Sequence, residues 1–181
     1  MFYIVGLGNP GEEYEGTRHN TGRMAVEFFE KKNEISLKKL SIIHSNEFMN
    51  NSGKAVAKFI KPKIGKNKSQ ENLIVVHDDL DLPLGTFKIS YNKGVGGHRG
   101  LDSVAKAVKT LEFVRVRVGI SGATAKGRAK KPEGEQKVLD FILGKFTPKQ
   151  NEELKKTFKK ASEAIQTIIT DGRDRAMNMF N

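Results

Sequence analysis

The stretch Leu73-Ile74-Val75-Val76 constrains the fold more than any other part of this chain. Four consecutive branched apolar residues leave no polar face, so a strand built from them has to be covered on both sides. Such strands belong in the middle of parallel or mixed sheets, with helices packed above and below. The run stops at His77-Asp78-Asp79-Leu80-Asp81-Leu82-Pro83-Leu84-Gly85, which reads as an acidic loop.

A second apolar run, Phe2 to Val5, breaks into Gly6-Leu7-Gly8-Asn9-Pro10-Gly11. A buried strand ending this way leaves its next side chains at the carboxyl edge of the sheet, where open α/β sheets place their sites. The loop that follows supplies Asn9, Tyr14, Arg18, His19 and Asn20. Helical spacing of Met24, Ala25, Phe28 and Phe29 predicts a helix from about Thr21 to Lys32. Leu40 to Ile43 reads as a strand, and Asn51 or Ser52 can cap a helix carrying Ala55, Val56, Phe59 and Ile60. Pro62 to Gln70 reads as a solvated basic loop. Thr86 to Tyr91 and Phe113 to Ile120 alternate as strands, and Gly94 to Gly100 opens a helix reaching about Thr110.

Ser121 to Gln136 is basic, glycine-rich and without periodicity, so residues 122–136 are expected to form a mobile lid loop or a plain excursion. A short helix near Val138 to Leu143 precedes a long one from Thr147-Pro148 to about Thr170. Its stripe is Leu154, Phe158, Ala161, Ile165, Ile168 and Ile169. Residues 172–181 hold a C-terminal helix, from Arg173 to Phe180. The alternation predicts an α/β protein: one domain over residues 1–181, a three-layer α/β/α sandwich with a mixed, mostly parallel central sheet.

Composition narrows the function. A chain of 181 residues suffices for one domain with a real core. The net charge of +11 and pI near 9.8 favour a polyanionic partner, nucleic acid ahead of membrane, against the plain reading of a solubility device. The absence of cysteine excludes disulfides, thiolate metal sites and thiol catalysis. Met1-Phe2-Tyr3 runs straight into the first strand and no apolar stretch could span a bilayer, so a cytoplasmic protein without membrane contact is expected.

The glycine-rich turn fails as a dinucleotide fingerprint. Pro10 removes a phosphate-binding N–H, and the ribose-binding acid is not evident. His19 is the natural candidate for chemistry, because imidazole titrates near neutrality. Asp78 follows the most buried strand and should reach the same sheet edge. A carboxylate on one ring nitrogen fixes the tautomer and raises the basicity of the other, so the simplest use is activation of water. His19, His77, Asp78 and Asp79 have metal-ligand chemistry but no zinc spacing, and no metal site is expected. Asn9 and Asn50 can hold a carbonyl or a water, although capping and turn formation are their commoner uses. Phe48 and Met49 line an apolar cleft or belong to the core. Gly96-Gly97-His98-Arg99 at a helix start offers free N–H groups beside a cation, a fitting phosphate cradle. His77 and His44 read as structural.

Four motifs in one order, GLGNPGEEYEGTRHNTG (6–22), FMNNSGKAV (48–56), HDDLDLPLG (77–85) and GGHRGL (96–101), give the chain its resemblance. It resembles the bacterial-type peptidyl-tRNA hydrolase family over essentially its whole length. The resemblance implies hydrolysis of the ester between a peptide and the 3′ ribose of tRNA, with no cofactor, by a monomer that binds the acceptor arm and 3′ CCA end. It also implies roles for residues. His19 would accept a proton from water, Asp78 would stabilise its working form, and Asn9 would help tell peptidyl- from aminoacyl-tRNA. Tyr14, Phe48, Met49 and Asn50 would contact the 3′ end and peptide, with Gly96 and Arg99 beside them. Lys88, His98 and Arg117 would meet phosphates. Arg99 stands where the family commonly has an asparagine, Ser45 and Glu47 replace a usual proline and threonine, and the segment between Phe29 and Phe48 is short. Two rival functions are a non-catalytic RNA-binding protein on the same scaffold and a hydrolase of another acyl ester. Retention of His19, Asp78, Asn9 and Asn50 argues against the first, and the charge of +11 against the second.

Overall fold

The computed structural model describes residues 1–32, 40–62 and 69–181. The expected loop from Pro62 to Gln70, and most of the short segment before Leu40, therefore lie largely outside the described residues. Six strands and six helices follow one another among the described residues. They are β1 (Phe2–Gly6), α1 (Thr21–Lys32), β2 (Leu40–Ile43), α2 (Ser52–Ala57), β3 (Leu73–Pro83), β4 (Phe87–Tyr91), α3 (Arg99–Val108), β5 (Val114–Ala123), β6 (Ala129–Lys130), α4 (Glu135–Leu143), α5 (Pro148–Asp171) and α6 (Arg173–Phe180).

The sheet runs β2-β1-β3-β5-β4, with β6 added to β5. β2, β1, β3 and β5 are parallel, and β4 and β6 pair with β5 antiparallel. β3 sits in the middle, as its apolar run demands. Its side chains alternate between two cores: Ile74 and Val76 pack beneath α1 and α5, and Leu73 and Val75 pack with Val56, Leu101, Val104 and Val108 of α2 and α3. Strand Cβ atoms alternate across a sheet, so an all-apolar strand feeds both layers at once. The fold is the expected three-layer α/β sandwich with a mixed, mostly parallel sheet.

Three local expectations change. β3 does not end at Val76 but continues through the acidic segment to Pro83. It pairs with β5 through Asp79 and again at Pro83↔Ser121, past a register shift. The carboxylates do not break the strand because partners satisfy them: Arg117 Nε lies 2.6 Å from Asp79 and Lys131 Nζ lies 2.6 Å from Asp81. The segment 121–136 carries the end of β5 and all of β6, closed by an ordered turn in which Thr124 N–H donates to the Arg128 carbonyl. The helix expected from Gly94 starts at Arg99, because Gly96 and Gly97 sit in the left-handed region at φ 59° and 75°.

One close approach sets the site. Gly22, in the first turn of α1, lies against the end of β1 and the Val76–His77 stretch of β3. A Cβ there would stand 2.8 Å from Leu7 N and 2.9 Å from His77 Cα, with the Val76 carbonyl nearer still. All three are backbone atoms and cannot swing aside. Glycine therefore lets α1 begin directly on the sheet, and the turn before it carries His19. Gly22→Ala is expected to cost at least about 2 kcal/mol in chemical denaturation. Thr147→Ala, which removes the capping box of α5, should cost about 1 kcal/mol.

Candidate active site

His19 lies in a short 3-10 turn, Arg18–Asn20, between the β1 loop and α1. Several bonds fix this turn. Leu7 N–H donates to the Val76 carbonyl at 2.9 Å, and Arg23 N–H to the Leu7 carbonyl at 3.0 Å. The Asn20 carboxamide pairs with the backbone of Asn9: Oδ1 accepts from Asn9 N–H at 2.8 Å and Nδ2 donates to the Asn9 carbonyl at 2.9 Å. Arg18 points away from the site. Its guanidinium donates to the Lys145 carbonyl and to Gln150 Oε1, and stacks on the Phe141 and Phe146 rings at 4.5 and 5.1 Å. Arg18 thus ties the His19 turn to the end of α4 and the start of α5.

Asp78, 4% exposed on β3, is held between two imidazoles. His19 Nδ1 lies 3.0 Å from Oδ2 and 3.1 Å from Oδ1, and His98 Nε2 lies 2.9 Å from Oδ1. The proton positions follow from the surroundings. His98 Nδ1 accepts from Gly100 N–H and Leu101 N–H as the N-cap of α3, so its proton sits on Nε2 and points at Asp78. His19 donates Nδ1–H to the same carboxylate, which leaves its Nε2 as a lone pair. The two rings stand 5.0 Å apart.

Electrostatics agree with that assignment. Burial alone would raise the Asp78 proton affinity, but His19 and His98 outweigh it and keep the carboxyl ionised well below the usual carboxylate range. Burial lowers the proton affinity of His19, and the charge and hydrogen bond of Asp78 more than offset this. Its pKa therefore lies above the ordinary imidazole value, with Arg99 pulling the other way. His77 is pushed down to about 3, first by burial and then by the neighbouring His98, so it stays neutral. It donates Nδ1–H to the Asp78 carbonyl at 2.6 Å and keeps its structural reading.

The remaining expected residues fall into two groups around this cluster. Asn9 Oδ1 accepts from Met49 N–H at 2.7 Å, which turns the Asn9 amide nitrogen outward. Met49 is buried against Leu7, Gly100 and His98. Phe48 is 50% exposed, with the Tyr14 ring edge-on at 6.1 Å, and Asn50 is exposed in the same turn. Asn9, Met49, Phe48 and Asn50 make one wall, with Tyr14 beside it. Gly96 and Gly97 are exposed on the loop leading into α3, and Arg99, the first residue of α3, is exposed with Nη2 3.5 Å from Glu135 Oε1 on α4. Lys88 and Arg117 are cross-strand neighbours on β4 and β5, and Arg117 is already engaged by Asp79. Sequence reasoning grouped His98 with phosphate contacts and left Asn20 and Arg18 without a role. Their partners lie 11 to 132 residues away, and no local pattern announces them.

His19, Asp78 and His98 also offer donor atoms within 4.8 Å of one another, a metal-ligating set among the described residues. Their facing atoms are already joined by hydrogen bonds, and His98 would have to give up its Nε2 proton to ligate. The arrangement suits proton transfer: an imidazole oriented through Nδ1 by a buried, ionised carboxylate, with its Nε2 left as a lone pair.

A family model described as peptidyl-tRNA hydrolase matches residues 3–181. A curated peptidyl-tRNA hydrolase of Thermodesulfovibrio yellowstonii is 39% identical over 196 residues, covering 100% of this chain and 99% of that one. Another, of Carboxydothermus hydrogenoformans, is 37% identical over 200 residues, covering 100% and 98%. The crystal structure of peptidyl-tRNA hydrolase from Acinetobacter baumannii superposes with a TM-score of 0.81 at 28% identity, covering 100% of this chain and 94% of that one. The chain belongs to the peptidyl-tRNA hydrolase family.

Proposed function

We propose that this chain hydrolyses the ester between a peptide, or an N-blocked amino acid, and the 3′ ribose of tRNA. The observation that carries the reading is the free Nε2 of His19, with Nδ1–H committed to the ionised Asp78. A water hydrogen-bonded to Nε2 gives its proton to the ring as its oxygen attacks the ester carbonyl carbon. The imidazolium so formed faces Asp78, which stabilises it without taking the proton. The tetrahedral intermediate then expels the ribose 3′ oxygen, which recovers the proton from Nε2. The outward Asn9 amide and the exposed Asn50 carboxamide are suitable donors to the oxyanion and the peptide backbone. His98 acts on the reaction through Asp78, as a positioning residue.

The substrate's nucleic-acid part would run from the cleft over Tyr14, Phe48 and Gly96 toward Lys88 and Arg117, with the CCA end nearest His19. Shape and phosphate charge would dominate this contact, in keeping with the excess of 32 basic over 21 acidic residues. The β5–β6 arm extends the track. Asp78 pairs with Val118, and β5 continues five residues further to Ala123, roughly 16 Å beyond the catalytic level. Its turn presents exposed Lys126, Arg128 and Lys130. In this reading the chain acts as a monomer, and residues 122–136 serve as a phosphate-binding lid of the same domain.

Purified protein should release N-acetylaminoacyl groups from tRNA, and His19→Ala should lose at least about 100-fold in kcat/KM. On the acid side kcat/KM should fall with one proton, at a midpoint above the ordinary imidazole value, because His19 must be deprotonated to act. Asp78→Asn removes the group that raises that midpoint. It should shift the acid limb to lower pH and lower the plateau by at least about 100-fold, since the amide no longer fixes the tautomer. A wild type that binds tRNA without releasing product would overturn the reading.

Replacing Lys126, Arg128 and Lys130 together by serine should weaken tRNA binding. It should also reduce the slope of log affinity against log salt by about 2 to 3, near 0.7 to 0.9 for each phosphate that is no longer neutralised. An unchanged slope would remove the arm from the binding track.

A further inference from the structure

One charged residue lies buried in the sheet and takes no part in the chemistry described above. Arg115 sits on β5, cross-strand from Ser90 on β4 and beside Val75 on β3. Alternation along the strands turns it toward the layer of α2 and α3, where Val75, Phe113, Leu101 and Val104 pack together. It is 2% exposed, with the Phe113 ring 5.0 Å from its guanidinium carbon. No carboxylate among the described residues pairs with it, and its buried Nε–H finds no partner among them either. A buried cation without a carboxylate is a costly way to fill a core.

The guanidinium instead reaches backbone. Its terminal nitrogens donate to consecutive carbonyls, Nη2 to Lys93 and Nη1 to Gly94, the latter at 2.8 Å. A planar fork of donors matches two such acceptors at once. These carbonyls belong to the loop from Asn92 to His98, between β4 and α3. Asn92, Gly96 and Gly97 hold left-handed conformations at φ 50°, 59° and 75°. Within the loop the backbone makes one bond of its own, His98 N–H to the Val95 carbonyl at 3.0 Å. A segment that bends three times on so little internal bonding takes its shape from outside supports. It ends in His98, whose Nε2–H holds Asp78 at 2.9 Å. Arg115 thus grips one end of the loop and Asp78 the other.

We propose that Arg115 is a positioning residue for the reaction, which clamps the 92–98 loop from the sheet and so keeps His98 on Asp78. The inference rests on the ester-hydrolase reading above. Without the fork, the Lys93 and Gly94 carbonyls lose their donors, the loop loosens, and His98 releases the carboxylate. Asp78 then keeps His19 as its one imidazole donor and draws that ring's proton more strongly. His19 must be deprotonated to act, so the acid limb of kcat/KM moves to higher pH. The charged groups that bear on His19 are Asp78 and Arg99, and His77 is neutral. A change made at Arg115 therefore reaches His19 through the loop and not through space.

The decisive variant is Arg115→Lys, which keeps the charge but replaces the fork by a single ammonium. It should raise the acid midpoint of kcat/KM for N-acetylphenylalanyl-tRNA by at least about 0.5 pH units. Arg115→Met, with no donor at all, should raise it at least as far; if that variant does not fold, Arg115→Lys carries the test alone. The imidazole N–H of His98, buried against Asp78, should give a proton NMR signal in the wild type that broadens or vanishes in Arg115→Lys. Val56→Ala opens a cavity in the same apolar layer without touching the loop's carbonyls. It should lower stability and leave both readings in place. A wild-type midpoint or an undisturbed His98 signal in Arg115→Lys would each overturn the proposal, however much stability is lost. So would an equal shift in Val56→Ala. The N–H signal needs no substrate. Failure of the wild type to cleave N-acetylphenylalanyl-tRNA would overturn the ester-hydrolase reading instead, with the clamp then judged by that signal.

Discussion

A single buried carboxylate holds the functional end of this fold together. Asp78 lies in the middle strand of the sheet, almost without exposure, and two imidazoles from different parts of the chain converge on it. An isolated carboxylate at that depth would take up a proton. It stays ionised because His19 and His98 both point N–H groups at it. Those two rings in turn anchor the turn before α1 and the start of α3. Removing the charge would unseat more than the partner of His19, since the same bonds join the two helix layers across the carboxyl edge of the sheet.

The backbone makes this possible through close approach. Gly22 brings α1 into contact with the end of β1 and with Val76 and His77 of β3, and Gly100 lets Met49, Leu7 and His98 meet at one point. Asn20 then imitates a peptide group and completes the hydrogen bonding of Asn9, whose loop has left the sheet. Arg18 does the corresponding work at the other end, reaching the α4–α5 connection with its guanidinium between two phenylalanine rings. The polar richness of the 6–22 segment therefore has two uses. His19 and the Asn9 side chain face the cleft, whereas Asn20 and Arg18 build the frame that presents them.

Much of this was legible in the sequence, for identifiable reasons. The apolar run of β3 announced a central strand because a side chain on either face needs cover, and the helically spaced stripe of α5 announced one face of a long helix. The meeting of His19 and Asp78 was expected because the loop after β1 and the segment after the apolar run of β3 belong to the same edge of two adjacent strands. The length of β3 was not legible, because Asp79 and Asp81 look like strand breakers until Arg117 and Lys131 are seen beside them. The place of His98 was hidden for the same reason. A glycine-flanked histidine at a helix start reads as a phosphate contact, and only the tertiary structure aims its Nε2 at a carboxylate 20 residues earlier. Long-range pairing of charged groups is what composition and periodicity cannot express.

The protonation states of the cluster set activity against stability. Asp78 binds protons less readily when folded than unfolded, so its contribution is present above the carboxylate range and is lost as pH falls. His77 works in the same direction. The unfolded ring takes up a proton near 6.5, and the folded one resists until about 3, so acid favours unfolding across that window. His19 has the opposite sign, with its proton affinity raised by folding. Its contribution is complete below the unfolded value and is lost as pH rises through the folded one. In the proposed mechanism the base can act only after that proton has gone. The state competent for that mechanism is therefore the one in which the His19–Asp78 pair has given up its ionic contribution and retains a neutral hydrogen bond. His98, which donates to Asp78 without needing a charge of its own, keeps the carboxylate solvated in that state. A second imidazole on one carboxylate thus lets the first be a free base without leaving a buried anion on a single partner.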